Sequence, residues 1–190
     1  MWIEALRFLI NTAFGLVVYT ALLRFIMQWL RAPFRNPVGQ TTIALTDWAV
    51  KPLRRMLPGH GGYDWASLLL AWFGQCLWLG ALALVSGAAL SGSLVGLLAA
   101  LSIVELIKAA LWIMIGAIFI QAILSWVAPD GPLSGTLNAL TFPFLRPIRR
   151  RLPPIGGTLD LSPLIVIVVA QVAMMTVVPW LESALTRIFL

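Results

Sequence analysis

The sequence contains little charge, and that charge is uneven. Only 11% of its 190 residues are Asp, Glu, Lys or Arg, and 13 basic residues outnumber 7 acidic ones. A single cysteine excludes an internal disulfide, and a single histidine excludes a cluster of His and Cys metal ligands. We therefore expect neither a metal nor a cofactor. With 61% apolar residues and a mean hydropathy of +0.95, the composition excludes a soluble domain and indicates an integral membrane protein.

Catalytic side chains are also sparse. His60 has no second ligand nearby in the sequence, and no Ser, Cys or carboxylate constellation supports covalent or acid–base catalysis. Cys76 lies inside an apolar run, where it is expected to act as a small buried hydrophobe. We expect the protein not to be an enzyme.

Long runs without charge locate the membrane spans. About 20 helical residues cross the roughly 30 Å of bilayer hydrocarbon. The run from 65 to 104 is 40 residues long, enough for two crossings, and its Ser and Gly residues near 87–92 predict a turn. No basic n-region or small-residue cleavage site marks the first run as a signal peptide, so we expect it to be retained. We predict four spans, at about 5–30, 65–87, 104–127 and 162–182.

A basic segment bounded by proline and closed by glycines occurs twice. The first copy runs from Lys51 to Asp64 and the second from Arg146 to Asp160. Similar spacing relates Gln75 to Gln171. We predict an all-α membrane protein whose four transmembrane helices form two parallel two-span repeats. The repeats are 1–90 and 91–190, with basic interfacial segments at 38–58 and 133–153; residues 93–104 either extend the third span or lie flat on the surface.

The charge distribution predicts the topology. If both basic segments share a side, that side carries ten basic and four acidic residues, a net of +6, and the opposite side sums to zero. The positive-inside rule then places the basic loops in the cytoplasm. We expect a multi-pass membrane protein whose two termini face outward, on the side opposite the basic loops.

Each basic cluster follows a stretch with apolar residues at helical spacing, which predicts an amphipathic helix lying in the membrane interface. Trp48 and Phe144 are the expected anchors. Because Pro52, Pro143 and Pro147 each remove a backbone donor, we expect a short helix followed by a kinked or extended basic tail. The two apolar stripes are Val38, Thr41, Leu45, Trp48 and Pro52, and Leu137, Leu140, Phe144, Ile148 and Leu152.

The repeated cations are the candidate binding residues. They could engage anionic phospholipids or an acidic partner protein, or they could only set the topology. No recognised nucleic-acid module accompanies them, so no nucleic acid is expected as a partner. The candidates are Lys51, Arg54, Arg55, Arg146, Arg149, Arg150 and Arg151.

Glycines and aspartates follow each cluster. The glycine pairs permit a sharp turn into the membrane; they are Gly61 with Gly62 and Gly156 with Gly157. Asp64 is the expected N-cap of the second span, and Ser162, followed by Pro163, that of the fourth, with Asp160 just outside the helix. The two aspartates could instead pair with an arginine or bind a cation or proton.

Polar residues within the spans are few. Gln75 and Gln171 could hydrogen-bond each other, line a polar path, or pack between helices. Glu105 and Lys108 are three residues apart at the start of the predicted third span, where an ion pair would reduce their cost near the membrane.

The second basic segment begins with Arg146-Pro147-Ile148-Arg149-Arg150 and continues through Leu152-Pro153-Pro154-Ile155-Gly156-Gly157-Thr158-Leu159-Asp160-Leu161-Ser162-Pro163-Leu164. This segment resembles the YggT family, whose plastid relatives are called YlmG. The resemblance covers nearly the whole chain. The first half departs from the pattern at Gly59-His60 and at Trp65-Ala66-Ser67. The resemblance implies a small protein of the bacterial inner membrane or of plastids, linked to cell or organelle division, to cofactor assembly on cytochromes, or to osmotic stress and potassium handling. Because the sequence shows no transit peptide, we expect the bacterial inner membrane, with both termini in the periplasm.

The leading functional hypothesis is a non-enzymatic scaffold or assembly factor whose basic segments engage anionic lipid or partner proteins. The alternative is an oligomeric ion channel or transport component, since four spans leave little room for a pore in one chain. Either hypothesis allows protein partners or a homo-oligomer.

Overall fold

The computed structural model describes residues 1–57, 59, 61–89, 91–128, 131–152 and 160–189. Those residues form six α-helices and no strand. The helices are α1 (Trp2–Trp29), α2 (Pro37–Met56), α3 (Trp65–Val85), α4 (Gly92–Val127), α5 (Ser134–Arg151) and α6 (Ser162–Phe189).

Four of these helices, α1, α3, α4 and α6, are long and apolar enough to cross a membrane. The predicted fold class, all-α with four spans, is therefore confirmed, and the chain is a multi-pass membrane protein. The shorter helices α2 and α5 each connect two of the spans.

The spans pack in antiparallel pairs. Arg7 near the start of α1 donates to Ser86 after the end of α3, at 3.0 Å, while Gln28 near the end of α1 reaches the carbonyl of Gly62 before α3, at 3.4 Å. In the second pair, Gly96 near the start of α4 lies against the ring of Phe189 at the end of α6. The ends of α1 and α4 and the starts of α3 and α6 form what we call the basic end of the bundle.

The two halves meet at the basic end. Asn36, the N-cap of α2, donates a hydrogen bond to the hydroxyl of Thr136 in α5, at 2.8 Å. A core cluster at the same level contains Met27 of α1, Ala117 of α4 and Leu140 of α5. Helices α2 and α5 therefore lie at one end of the molecule, as the charge argument requires.

The third span is longer than the sequence indicated. We placed its start at about 104, but α4 begins at Gly92 and runs for 36 residues, so residues 93–104 extend the helix. Glu105 and Lys108 do not mark its start; they pair inside it at 2.7 Å, and Lys108 also reaches Glu182 of α6, at 3.2 Å. Because these charges compensate one another, the helix continues through them.

The expectation of a short helix followed by an extended basic tail was wrong, because both basic clusters lie inside their helices. Helix α2 includes Pro52 and continues to Met56, and α5 includes Pro143 and Pro147 and continues to Arg151. A proline removes one hydrogen bond from its helix. Buried contacts of the adjacent turns, such as those of Val50 and Leu145, hold the helices together despite that loss.

The two connecting helices share much of their buried face, since Thr42, Thr46 and Val50 of α2 correspond to the buried Leu137, Thr141 and Leu145 of α5, but they differ in how the predicted stripe is placed. In α5 the predicted stripe turns partly inward, because Leu137 and Leu140 are buried. In α2 it turns outward: Trp48 is 68% exposed, while small side chains pack against the bundle. The buried residues of α2 are Gly39, Thr42, Thr46, Ala49 and Val50.

Candidate functional site at the basic end

Asp64 is the centre of an ion network where α2 approaches α3. Its carboxylate caps α3 by accepting the backbone N–H of Ser67, and it accepts the Ser67 hydroxyl at 2.5 Å. Arg54 donates to both carboxylate oxygens, from Nη2 at 2.6 Å and from Nε at 3.2 Å. Gly61 and Gly62 precede the cap with φ of 65° and 84°, in the left-handed region that glycine adopts readily. The expected cap and turn residues thus form one structure with an arginine from the basic cluster.

Arg24 of α1 is part of the same network, although the sequence analysis assigned it no role. Only 4% of it is exposed. Its Nη1 donates to Thr46 at 2.7 Å and to Asp47 at 2.9 Å, and its Nε lies 3.6 Å from Asp64. A buried guanidinium needs such partners, because an unpaired one would be strongly destabilising. Arg24 therefore joins α1 to both α2 and α3.

Basic neighbours keep the acids of this network ionised. Burial acts to raise the pKa of Asp64, but hydrogen bonds from Arg54 and Ser67 outweigh it and hold that pKa below its usual range. The pKa of Asp47 is lowered chiefly by a hydrogen bond from Lys51, which lies 2.8 Å away, and further by Arg24. These carboxylates stabilise the fold as anions.

The second half contains a smaller counterpart. Nη2 of Arg149 lies 2.7 Å from Oδ2 of Asp160, as Arg54 pairs with Asp64. Burial acts to raise the pKa of Asp160, but the backbone N–H of Ser162 and the Arg149 guanidinium together hold it below its usual range. Gly156 and Gly157, the other expected turn residues, lie outside the described residues.

The assignment of Ser162 as the N-cap of the fourth span was wrong. Ser162 is the first residue of α6, and its backbone N–H donates to Asp160 at 2.9 Å. Its hydroxyl is buried and has no hydrogen-bond partner in the part of the chain that the structure describes. Asp160 takes the capping role because a carboxylate two residues earlier reaches the free N–H more directly.

The counterpart of Arg24 in the second half is uncharged. Thr46 of α2 accepts from Arg24, while Thr141 of α5 donates to Gln121 of α4. An arginine must be balanced by buried acids, whereas an amide needs only hydrogen bonds. The second half therefore holds α5 against α4 by an uncharged hydrogen bond, where the first half uses the ion pair of Arg24 and Asp47.

The candidate cations separate into two groups. Lys51, Arg54 and Arg149 are engaged by aspartates within the protein. Arg146 lies over the ring of Phe142, with its guanidinium carbon 5.4 Å from the ring centre. The exposed cations for which no acidic partner occurs among the described residues are Arg55, Arg146, Arg150 and Arg151.

The expected anchors lie beside these cations. Trp48 is exposed on the outer face of α2, and its indole N–H donates to the carbonyl of Leu45 at 2.9 Å. Phe144 is exposed on α5, between the turns that carry Thr141 and Ile148. Both helices thus present an aromatic ring and arginines on accessible surface.

The two glutamines are not equivalent. Gln75 is 4% exposed in the core of the first pair of spans, whereas Gln171 lies on the outer face of α6. Both residues belong to the described part of the chain, and no hydrogen bond joins them there. Of the alternatives left open for the pair, a mutual hydrogen bond does not fit this arrangement, because α3 turns its glutamine inward and α6 turns its glutamine outward.

The chain is similar in sequence to one known family and to several bacterial proteins. The family model described as CCB3/YggT matches residues 3–85 and 100–181. The chain is 38% identical over 159 residues to protein PA0392 of Pseudomonas aeruginosa, covering 83% of this chain and 80% of that protein. It is 35% identical over 181 residues to the protein YggT of Escherichia coli K12, covering 95% and 93%. Both relatives are described as uncharacterized. No solved structure matches the chain.

Proposed function

The chain belongs to the CCB3/YggT family, and we propose that it is a non-enzymatic scaffold or assembly factor of the bacterial inner membrane. In this proposal, the basic end binds anionic lipid headgroups through α2 and α5 and thereby presents the bundle to partner proteins. Roles in cell division, cofactor assembly or osmotic stress, which the family resemblance implies, belong to the proposal.

The division of the cations carries the proposal. Arg54 and Arg149 are engaged by aspartates that precede the spans, so they fix the connecting helices in place. Arg55, Arg150 and Arg151 stay exposed on those fixed helices. Cations beside an anionic membrane surface each contribute on the order of 1 kcal/mol. A rigid platform with outward cations suits binding at a surface better than conduction through a pore.

The positive charge of the basic end supports the proposed orientation, in which this end faces the cytoplasm. Excess positive charge marks the cytoplasmic side of an inner-membrane protein. Arg7 contacts Ser86 after the end of α3, and Phe189 lies against Gly96 near the start of α4, so both lie at the end of the bundle opposite the basic end. Both termini would therefore face the periplasm. Labelling of single cysteines introduced at Arg55 or at Arg187, with the native Cys76 replaced by Ser, in intact cells with a membrane-impermeant reagent, tests this. Only the cysteine at 187 should react.

The scaffold proposal is tested by removing the outward cations and leaving the engaged ones. We expect the triple variant R55Q/R150Q/R151Q to fold and insert as before but to lose binding to phosphatidylglycerol vesicles. Arg187→Gln, which changes an exposed arginine at the other end, is the control and should bind normally. Undiminished binding by the inserted triple variant would refute lipid engagement. If lipid binding persists but partner proteins are no longer recovered, the cations serve an acidic protein instead.

One observation favours the second candidate, an oligomeric channel or transport component. Gln171 is exposed on α6, nine residues after Ser162, which is about 14 Å into the span. Amides from several copies could line a polar axis there. Purified protein in liposomes should then pass potassium down a gradient, and Gln171→Leu should stop it. Impermeable liposomes, beside a working control channel, would exclude this function.

A further inference from the structure

Two apolar grooves lie on either side of Phe144. Groove A, between α1, α4 and α5, has a volume of about 230 Å³, and groove B, between α4, α5 and α6, has a volume of about 390 Å³. Leu111, Met114 and Phe144 line both. The ring of Phe144 therefore divides one apolar surface into two channels.

Each groove runs along part of a spanning helix. Groove A extends along α4 from Ile107 to Ala117, about 15 Å, and groove B extends along α6 from Val166 to Ala173, about 10 Å. Their linings are almost wholly apolar, so each suits a hydrocarbon chain. Two parallel channels separated by one ring match the two acyl chains of a phospholipid.

Cations lie at the basic end of groove B. Pro147 lines that groove, and Arg150 and Arg151 follow it by three and four residues, which places them one turn further along the same side of α5. Arg149 on the same turn is engaged by Asp160, and Arg146 lies over Phe142. Among the described residues, Arg150 and Arg151 are thus the arginines of α5 that remain for an anion beside the groove.

We propose that α5 and its neighbours form a binding site for one anionic two-chain phospholipid. Its acyl chains occupy grooves A and B on either side of Phe144, and its phosphate is bound by Arg150 and Arg151. Charge complementarity selects this occupant, because an apolar helix of a second copy would fill the grooves but leave the arginines without an anion. The inference rests on the proposed function and deepens it, from a charged surface to one defined site.

The test is retention of lipid by the full-length protein, purified in mild detergent from an equimolar mixture of phosphatidylglycerol and phosphatidylcholine. Native mass spectrometry should show one retained phospholipid per chain, enriched about tenfold in phosphatidylglycerol. R150Q/R151Q should reduce that enrichment to about one. Ala173→Phe, which fills groove B, should abolish retention, while Val172→Phe on the exposed side of α6 should not.

The outcomes separate this site from the general proposal. If Ala173→Phe still binds anionic vesicles but no longer retains a lipid, the site and the surface interaction both stand. If the unmodified protein binds vesicles through its arginines but retains no lipid, or retains both lipids equally, the site is refuted and the surface role survives. If the loss of the exposed arginines leaves vesicle binding unchanged, the proposed function fails. Should Ala173→Phe not fold, R150Q/R151Q decides alone, because both arginines are exposed.

Discussion

Nε of Arg24, near the end of the first span, lies 3.6 Å from Oδ2 of Asp64, the cap of the second. The acid also binds Arg54 of α2, so one carboxylate connects three helices. Only 1% of Asp64 is exposed, so its carboxylate is shielded from water, whereas 42% of the Arg54 side chain remains exposed. The basic helix α2 is therefore held in one orientation relative to the spans, which gives its exposed cations fixed positions.

Replacing Asp64 by Asn should strongly destabilise the protein. Asn is also a good N-cap, so the variant isolates the loss of charge from the loss of the cap. Removing one partner from a buried ion pair costs about 3–5 kcal/mol, and we expect about 3 because Arg24 retains Asp47. Thermal unfolding in detergent, followed by tryptophan fluorescence, measures the loss.

Arg55→Gln is the matched control for this variant. Arg55 is the neighbour of Arg54 on α2 but is exposed and has no acidic partner among the described residues. Its replacement should change stability by less than about 0.5 kcal/mol. Equal melting temperatures for Asp64→Asn and Arg55→Gln would contradict the assigned role of the network.

Acid should weaken the same network. The pKa values of Asp47, Asp64 and Asp160 are all lowered from 3.8, so each carboxylate contributes stability that is complete above that pH and is lost as the pH falls through the lowered value. The melting temperature should therefore drop as the pH goes below about 3.8. The melting temperature of Asp64→Asn should fall less steeply over that window. Parallel curves for the two proteins would show that Asp64 does not contribute to the acid transition.

The spans could be predicted because a charge-free run is a property of the sequence alone. The exact limits could not: Glu105 and Lys108 looked like the start of a span, and only their proximity to Glu182 in space explains how α4 accommodates them. The prolines of α5 were misjudged for a similar reason. Their local cost is visible in the sequence, but the tertiary packing that offsets it is not.

The candidate site was predictable in part. The repeated segment identified Asp64 and Arg54 and allowed a pair between an aspartate and an arginine, but it did not specify which arginine binds Asp64. Arg24 was missed because it stands 40 residues from Asp64 in the sequence, outside the repeated segment. The sequence did hold one indication of its role: Arg24 directly follows the first apolar run, and Asp47 and Asp64 were available as acidic partners. The orientation of Gln171 depends on how α6 rotates against α4, which its nearly uniform apolar sequence does not specify.

Gly39 is a position where the fold leaves no room for a side chain. A Cβ there would lie 2.6 Å from the carbonyl oxygen and 2.7 Å from Cα of Phe34, both backbone atoms of the preceding turn. Gly39→Ala should therefore displace the start of α2 and cost about 1–3 kcal/mol. Gly116→Ala is the control, because nothing lies within 4 Å of its added Cβ in α4, and it should be neutral or stabilising. Thermal unfolding should rank the two variants in that order; the reverse order would show that α2 begins differently.

The exposed position of Gln171 on α6 indicates a contact between two copies of the chain. Its amide is exposed beside Val168, Val172 and Met175, which are apolar and themselves at least half exposed. An amide facing hydrocarbon lacks hydrogen-bond partners, whereas two amides related by a twofold axis can each donate and accept. We therefore expect Gln171→Cys, in a background where the native Cys76 is replaced by Ser, to form a disulfide-linked dimer when membranes are oxidised.

The neighbouring residue provides the control for this cross-link. Ala170 lies one position earlier on α6 but is 4% exposed. Ala170→Cys in the same background should stay monomeric, because its thiol faces into the bundle. A cross-link at 170 as strong as at 171 would indicate random collision or unfolding, and no cross-link at 171 would place lipid against this face. Since α6 presents Gln171 away from groove B, the dimer and the bound phospholipid would occupy opposite sides of one helix, and a lipid site could persist in either oligomeric state.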